Sequence, residues 1–213
     1  FYIPMVITNM AAGMMALRYG FQGVNYATTS ACATASHAIA NAYYQIRLGI
    51  ADVMLTGGSE AAVEVSGIAG FNALHALSTR NDDPTTASRP YDVDRDGFVM
   101  AEGAGIIILE TLEHAKARGA KILAELVGYG LSADAYHLPS PMPDGEGASR
   151  CMQMALDHAG LKPEDVDYHN AHGTSTPIND PSETKMVKLA FGDHAYKMKV
   201  SSTKSMTGHC VGA

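Results

Sequence analysis

Along this chain, stretches whose apolar residues recur every three or four positions alternate with short unbroken apolar runs. Over 33–48, Ala35, Ile39, Ala42, Tyr43 and Ile46 fall at helical spacing, and Gly49 is placed to end the helix. Val24 to Thr29 is β-prone, and Asp52 to Thr56 predicts a buried strand closed by Gly57-Gly58. Ala104 to Leu109 predicts another strand, Thr111 to Arg118 a helix stopped by Gly119, and Lys121 to Gly130 a longer strand. Gly145 to Ala159 predicts a helix stopped by Gly160, and Val166 to Asn170 a short strand. Asp180-Pro181-Ser182-Glu183 reads as an N-cap Asp, a Pro at N1 and a Glu at N3, opening a helix to about Phe191. Met198 to Ser202 is the last predicted strand. Between Ser78 and Gly97, Asp, Arg, Pro, Thr and Ser crowd into a loop of a length that is usually functional. Strands alternating with helices give an α/β class with a largely parallel or mixed sheet.

Composition narrows the possibilities. In 213 residues, 46% are hydrophobic and 17% charged, which is globular rather than disordered. A net charge of −7 and the lack of a basic cluster argue against nucleic acid as a partner. No apolar run reaches the roughly 18–20 residues of a membrane span. Cys32, Cys151 and Cys210 lie far apart with no CxxC pair, so neither a zinc ribbon nor a disulfide framework is expected, and a reducing cytoplasm fits. The sequence opens without Met or a signal peptide and closes where a helix is about to begin, which reads as the interior of a longer protein.

Three places could carry chemistry. Cys32 lies in Ser30-Ala31-Cys32-Ala33-Thr34, between a β-prone run and a helix. Unpaired N–H groups at a helix N-terminus favour a thiolate and can hold an oxyanion. On the pattern alone Cys32 is either such a nucleophile or a small apolar core residue. His172, in Asn170-Ala171-His172-Gly173-Thr174-Ser175-Thr176-Pro177, sits on a strand-end loop, a common seat for catalytic groups, and reads equally as a hydrogen-bonded loop residue. Lys204 and His209, in Ser201-Ser202-Thr203-Lys204-Ser205-Met206-Thr207-Gly208-His209, are a turn apart; a lysine there keeps an imidazole neutral, or is a solvated surface charge. His169 and the remaining histidines read as structural. Gly128-Tyr129-Gly130-Leu131-Ser132-Ala133 imitates a dinucleotide fingerprint, but Asp-Ala-Tyr-His and prolines follow where that fingerprint needs a helix.

Taken in order, Ser-Ala-Cys-Ala-Thr, Asn-Ala-His-Gly-Thr-Ser-Thr-Pro and Ser-Ser-Thr-Lys-Ser-Met-Thr-Gly-His form one set. Ala-Leu-Ser-Thr-Arg-Asn-Asp-Asp-Pro (76–84), Ser-Arg-Pro-Tyr-Asp (88–92), Arg-Asp-Gly-Phe-Val (95–99), Glu-His-Ala-Lys-Ala-Arg-Gly-Ala (113–120) and Asp-Ala-Tyr-His (134–137) complete it. Over the whole chain the sequence resembles the β-ketoacyl-[acyl-carrier-protein] synthases, and most closely the elongating enzymes of type II fatty-acid synthesis. The resemblance implies a thiolase-like fold of two similar βαβαβ-type halves in stacked layers, incomplete here at both ends. Residues 1–130 would be the remainder of the N-terminal half and 131–213 the start of the C-terminal half. It implies that Cys32 takes an acyl group, that His172 and His209 polarise the malonyl thioester, and that Lys204 sets their electrostatics. Thr174, Thr176, Asp134, His137 and Tyr2 would line the substrate side.

The same resemblance implies no resident cofactor, since the phosphopantetheine arm arrives on acyl carrier protein, although a structural monovalent cation is compatible with it. It also implies a homodimer formed through Tyr2 to Gly13. Two positions depart from the family pattern: Pro139 stands where Thr is frequent, and His169 where a β-branched apolar residue is usual. The alternatives are a ketosynthase of a polyketide system, a non-catalytic acyl-carrier-binding partner, and an inactive fragment. The retained Cys32 counts against the non-catalytic partner.

Overall fold

The computed structural model describes residues 2–137 and 140–213, so Pro139 lies outside the described residues. In chain order the elements are α1 (Tyr2–Val6), α2 (Met10–Tyr19), α3 (Thr34–Arg47), β1 (Val53–Glu60), α4 (Val65–Ala73), β2 (Gly103–Glu110), α5 (Leu112–Ala117), α6 (Glu146–Ala159), β3 (Tyr168–Asn170), α7 (Asn179–Phe191), β4 (Lys199–Ser201) and α8 (Lys204–Thr207). They condense into two units, neither continuous in sequence. One comprises 1–61, 102–126 and 210–213; the other comprises 62–101 and 127–209, so the long loop belongs to the second.

In the first unit α3 buries Ala40 and Ala42, and it packs on β1. β1 pairs antiparallel with β2, from Val53 opposite Glu110 to Glu60 opposite Gly103. The strand expected to close at Gly57-Gly58 runs through both glycines. A Cβ on Gly57 would stand 1.9 Å from the Gly105 carbonyl oxygen. One on Gly58 would meet the Gly212 carbonyl oxygen at 2.5 Å and the Ala35 Cβ at 3.0 Å. Here the glycines serve close approach and do not break the strand.

In the second unit α6 and α7 pack around Leu156, Val187, Ala190, Phe191 and Met198. Gly160 ends α6 in the left-handed region at φ 66°, as its place in the sequence predicts. β3 and β4 run parallel, with His169 opposite Val200. The expected cap at Asp180 does not form. α7 begins at Asn179, the residue before it is Ile178 and offers no capping side chain, and Asp180 and Glu183 are buried at 1% and 5% exposure. Both acids bond elsewhere, as described below.

Val24–Thr29 and Lys121–Gly130, read as strands, carry no ladder among the described residues. An extended segment becomes a strand only beside another strand, and no described segment pairs with either. α2 and α4 were not anticipated. The first is apolar on nearly every side, and the second carries Gly67 and Gly70, which lower helix propensity. α4 forms on a Glu64 cap whose carboxylate accepts from the Gly67 amide at 2.8 Å. Among the described residues no helix is long and apolar enough to cross a membrane.

Candidate active site

In the first unit, Cys32 is the middle residue of a single 3-10 turn, Ala31–Ala33, that leads directly into α3. Short-range hydrogen bonds build this turn. The Ser30 amide donates to Thr34 Oγ1 at 2.9 Å, and Thr34 Oγ1 donates to the Ala31 carbonyl at 2.7 Å. Ser30 Oγ lies 2.6 Å from His37 Nδ1, one turn into the helix. Ala31 takes φ 48°, a strained left-handed conformation for a residue with a side chain. No side chain caps α3, so its positive end stays directed at the turn. Cys32 is exposed.

In the second unit, His172 and His209 meet edge to face, with ring centroids 5.3 Å apart and planes at 89°. The backbone of His209 is pinned on both sides: its amide donates to the Val99 carbonyl at 2.8 Å, and its carbonyl accepts from Ala101 at 3.0 Å. Phe98 lies edge-on to the His209 ring at 5.2 Å. Burial, then His172 and Lys204, push the His209 pKa down to about 3. Burial, with help from Lys204, lowers that of His172 against the opposing charges of Glu183 and Asp180. Both rings are therefore neutral at physiological pH and each keeps one N–H. Lys204 opens α8; its carbonyl accepts from Ser88 Oγ, and its amide donates to Ser202 Oγ at 3.3 Å.

The two acids misread as a helix cap hold the His172 loop. Glu183 Oε1 accepts from the His172 amide at 2.6 Å. Oε2 accepts from the Gly173 amide at 2.7 Å and the Tyr91 hydroxyl at 2.9 Å. His169 Nε2, buried without a hydrogen bond, stands 3.5 Å from Oε1. Burial alone would raise the Glu183 carboxyl; the approach of His169, the two amides and the phenol outweigh it and bring the pKa down to about 2. Asp180 accepts from the Tyr91 amide at 2.8 Å and faces Arg95 at 3.7 Å. Arg95 in turn donates to the Thr176 and Pro177 carbonyls. Ser175, fully buried at φ 68°, accepts from the Arg89 amide. The sequence did carry one sign of this: Glu183 falls on the stripe Glu183, Met186, Val187, Ala190, where an acid is out of place on an apolar helix face.

The other sequence candidates have their own partners. Thr174 and Thr176 bond each other at 3.0 Å, and Thr176 Oγ1 accepts from the Asn179 amide at 3.2 Å, so this pair steadies the start of α7. Asp134 accepts from the Met142 amide at 2.9 Å and packs where Gly147 lacks a side chain. His137 is exposed, its ring tilted against Tyr136 at 6.3 Å. Tyr2 is 74% exposed on α1.

Comparison with known proteins places this geometry in a family. Residues 1–115 match the model of the β-ketoacyl synthase N-terminal domain, and residues 123–213 that of the β-ketoacyl synthase C-terminal domain. The chain is 57% identical over 212 residues to 3-oxoacyl-[acyl-carrier-protein] synthase 2 of Synechocystis sp., covering all of this chain and 51% of that protein. It is 55% identical over 213 residues to the protein of the same name from Staphylococcus aureus, covering 53% of it. The chain thus spans about half the length of these relatives. A type II polyketide ketosynthase, solved with its acyl-carrier protein and bound to a hexaketide, superposes with a TM-score of 0.93 at 43% identity, covering 96% of this chain and 50% of that one. A β-ketoacyl synthase from Burkholderia phymatum gives 0.90 at 42%, with 96% and 49% covered.

Proposed function

This chain belongs to the β-ketoacyl synthase family, with that family's thiolase-like fold, and on that footing we propose that it carries the reacting side chains of a decarboxylative Claisen condensation in fatty-acid elongation. The Cys32 thiolate attacks the thioester of an acyl-carrier protein. A new S–C bond forms, and the phosphopantetheine thiolate leaves and takes up a proton. Malonyl-carrier follows. The N–H groups of His172 and His209 donate to its thioester carbonyl oxygen. The bond to the carboxylate breaks, CO2 leaves, and its electron pair becomes an enolate whose charge these donors bear. The enolate carbon attacks the acyl-Cys32 carbonyl and the thiolate is expelled, giving 3-oxoacyl-carrier.

The observation that carries this reading is the pair of imidazoles 5.3 Å apart, His209 buried and His172 open to solvent, both held neutral and therefore donors. Lys204 contributes by opposing their protonation. Thr174 and Thr176 support the loop, and Asp134, His137 and Tyr2 border the substrate side. The phosphopantetheine arm is cargo of the carrier, and Glu183 faces N–H or O–H donors on both oxygens. We place the protein in the cytoplasm with its carrier, as a homodimer formed through Tyr2 to Gly13, where Met5 is 81% exposed. Fatty-acid elongation is favoured over polyketide synthesis by the 57% identity to a 3-oxoacyl-[acyl-carrier-protein] synthase 2, against 43% to the polyketide ketosynthase.

The test is Cys32→Ala in the intact protein. Condensation of labelled malonyl-carrier is lost, while malonyl decarboxylation, which needs only the imidazoles, persists. Condensation at the unaltered rate would reject Cys32 as the nucleophile.

A further inference from the structure

Tyr91 lies in the long loop of the second unit, far in sequence from both histidines, and nothing described so far gives it a part in the reaction. Three observations single it out. Its backbone is held at φ 66°, a conformation that costs a residue with a side chain free energy and persists only where its surroundings enforce it. Its amide and its phenol bond to different buried acids, the amide to Asp180 at 2.8 Å and the phenol to Glu183 at 2.9 Å. Its ring edge lies against Gly173, where an added Cβ would come within 3.2 Å of Cε2.

Glu183 is the acceptor for the consecutive amides of His172 and Gly173. The phenol donates to the oxygen that holds Gly173, so it fixes how the carboxylate is turned and how its two oxygens are shared between the amides. Burial and the neighbouring acids raise the phenol pKa, so it stays a donor at every working pH. A residue that merely fills space could be Phe, but the bonding here uses the hydroxyl.

We propose that Tyr91 is a positioning residue for the decarboxylation half of the reaction, acting through Glu183 to hold the His172 imidazole at the malonyl carbonyl. The proposal rests on the condensation reading above. It separates the two half-reactions: acyl transfer to Cys32 does not depend on the phenol, and enolate formation does.

The test is Tyr91→Phe in the intact protein, which keeps the ring against Gly173 and the amide on Asp180. A hydrogen bond to a charged group is worth enough that malonyl-carrier decarboxylation is expected to fall about tenfold. Alkylation of Cys32 by iodoacetamide and its acylation are expected to be unchanged. In a Glu183→Gln background the same substitution is expected to add nothing, because the two act as one unit. In the resting protein, the NMR amide signals of His172 and Gly173 are expected to move. Should Tyr91→Phe fail to fold, 3-fluorotyrosine at position 91 keeps the hydroxyl and changes its donor strength, and decarboxylation should again change without acylation. Unchanged decarboxylation, equal loss in both half-reactions, or additivity with Glu183→Gln overturns the proposal. If the unaltered protein does not decarboxylate malonyl-carrier, the condensation reading fails by itself; static amide signals in Tyr91→Phe would then still refute the role of the phenol.

Discussion

The turn that carries Cys32 and the loop that carries His172 are secured in opposite ways. Around Cys32 the described side-chain bonds join Ser30, Thr34 and His37 to residues at most seven positions away. Around His172 the bonds reach across the sequence: Arg89 to Ser175, Tyr91 to Glu183, and Ser88 to Lys204, which are 86, 92 and 116 positions apart. A locally bonded turn is specified by its own residues and forms with its helix. A loop bonded at long range exists only once the whole unit has folded, so changes far away in sequence disturb it.

This contrast can be pressed in three ways. The largest effect is expected at the imidazoles. His209→Ala removes one of two donors, and malonyl decarboxylation should fall on the order of 10²–10³-fold, with iodoacetamide labelling of Cys32 unchanged; a loss shared equally by both would mean the two regions are not separable. Next come the anchors. Glu183→Leu leaves the buried Gly173 amide and the half-buried His172 amide without an acceptor, and urea denaturation should show a loss of about 3 kcal/mol. Thr34→Val, at the locally bonded turn, should cost only about 1 kcal/mol, and equal costs would erase the distinction. The smallest effect is expected with pH. Because His209 titrates near 3 in the fold and near 6.5 when unfolded, its neutral donor persists between pH 7 and 5, and any fall in decarboxylation over that range should follow the protonation of His172 alone. The sign for stability follows from the same shift. The contribution is complete above about 6.5 and erodes as pH falls toward 3, because the unfolded chain takes up the proton first. An NMR titration of His209 with a midpoint near 6.5 would contradict this.

What could be read from the sequence follows the same division. α3 was legible from apolar residues at helical spacing, α6 from the Gly160 that stops it, α7 from a start signal whose cap the fold does not use, and the Cys32 turn because it is short and followed directly by α3. The motif order brought His172, Lys204 and His209 forward as a set, but not what holds them. Asp180 and Glu183 have the spacing of a helix cap, and only tertiary structure reveals that Tyr91 and the His172 loop claim them instead. Gly57 and Gly58 look like a strand ending, because sequence does not show which backbones press against a glycine. Val24–Thr29 and Lys121–Gly130 have strand composition, yet a strand is a property of a pair.

Gly58 makes the lack of a side chain a fixed dimension of the first unit. The hydrogen on its α-carbon is the spacer between a ribbon, the helix that begins just after Cys32, and the last residues of the chain. A single methyl group there would press on the Gly212 carbonyl at 2.5 Å and the Ala213 α-carbon at 2.8 Å before it reached Ala35 at 3.0 Å, so the residues after Cys210 would give way first. The stretch that follows Cys210 is thus held in its place by a residue that offers no reacting group of its own.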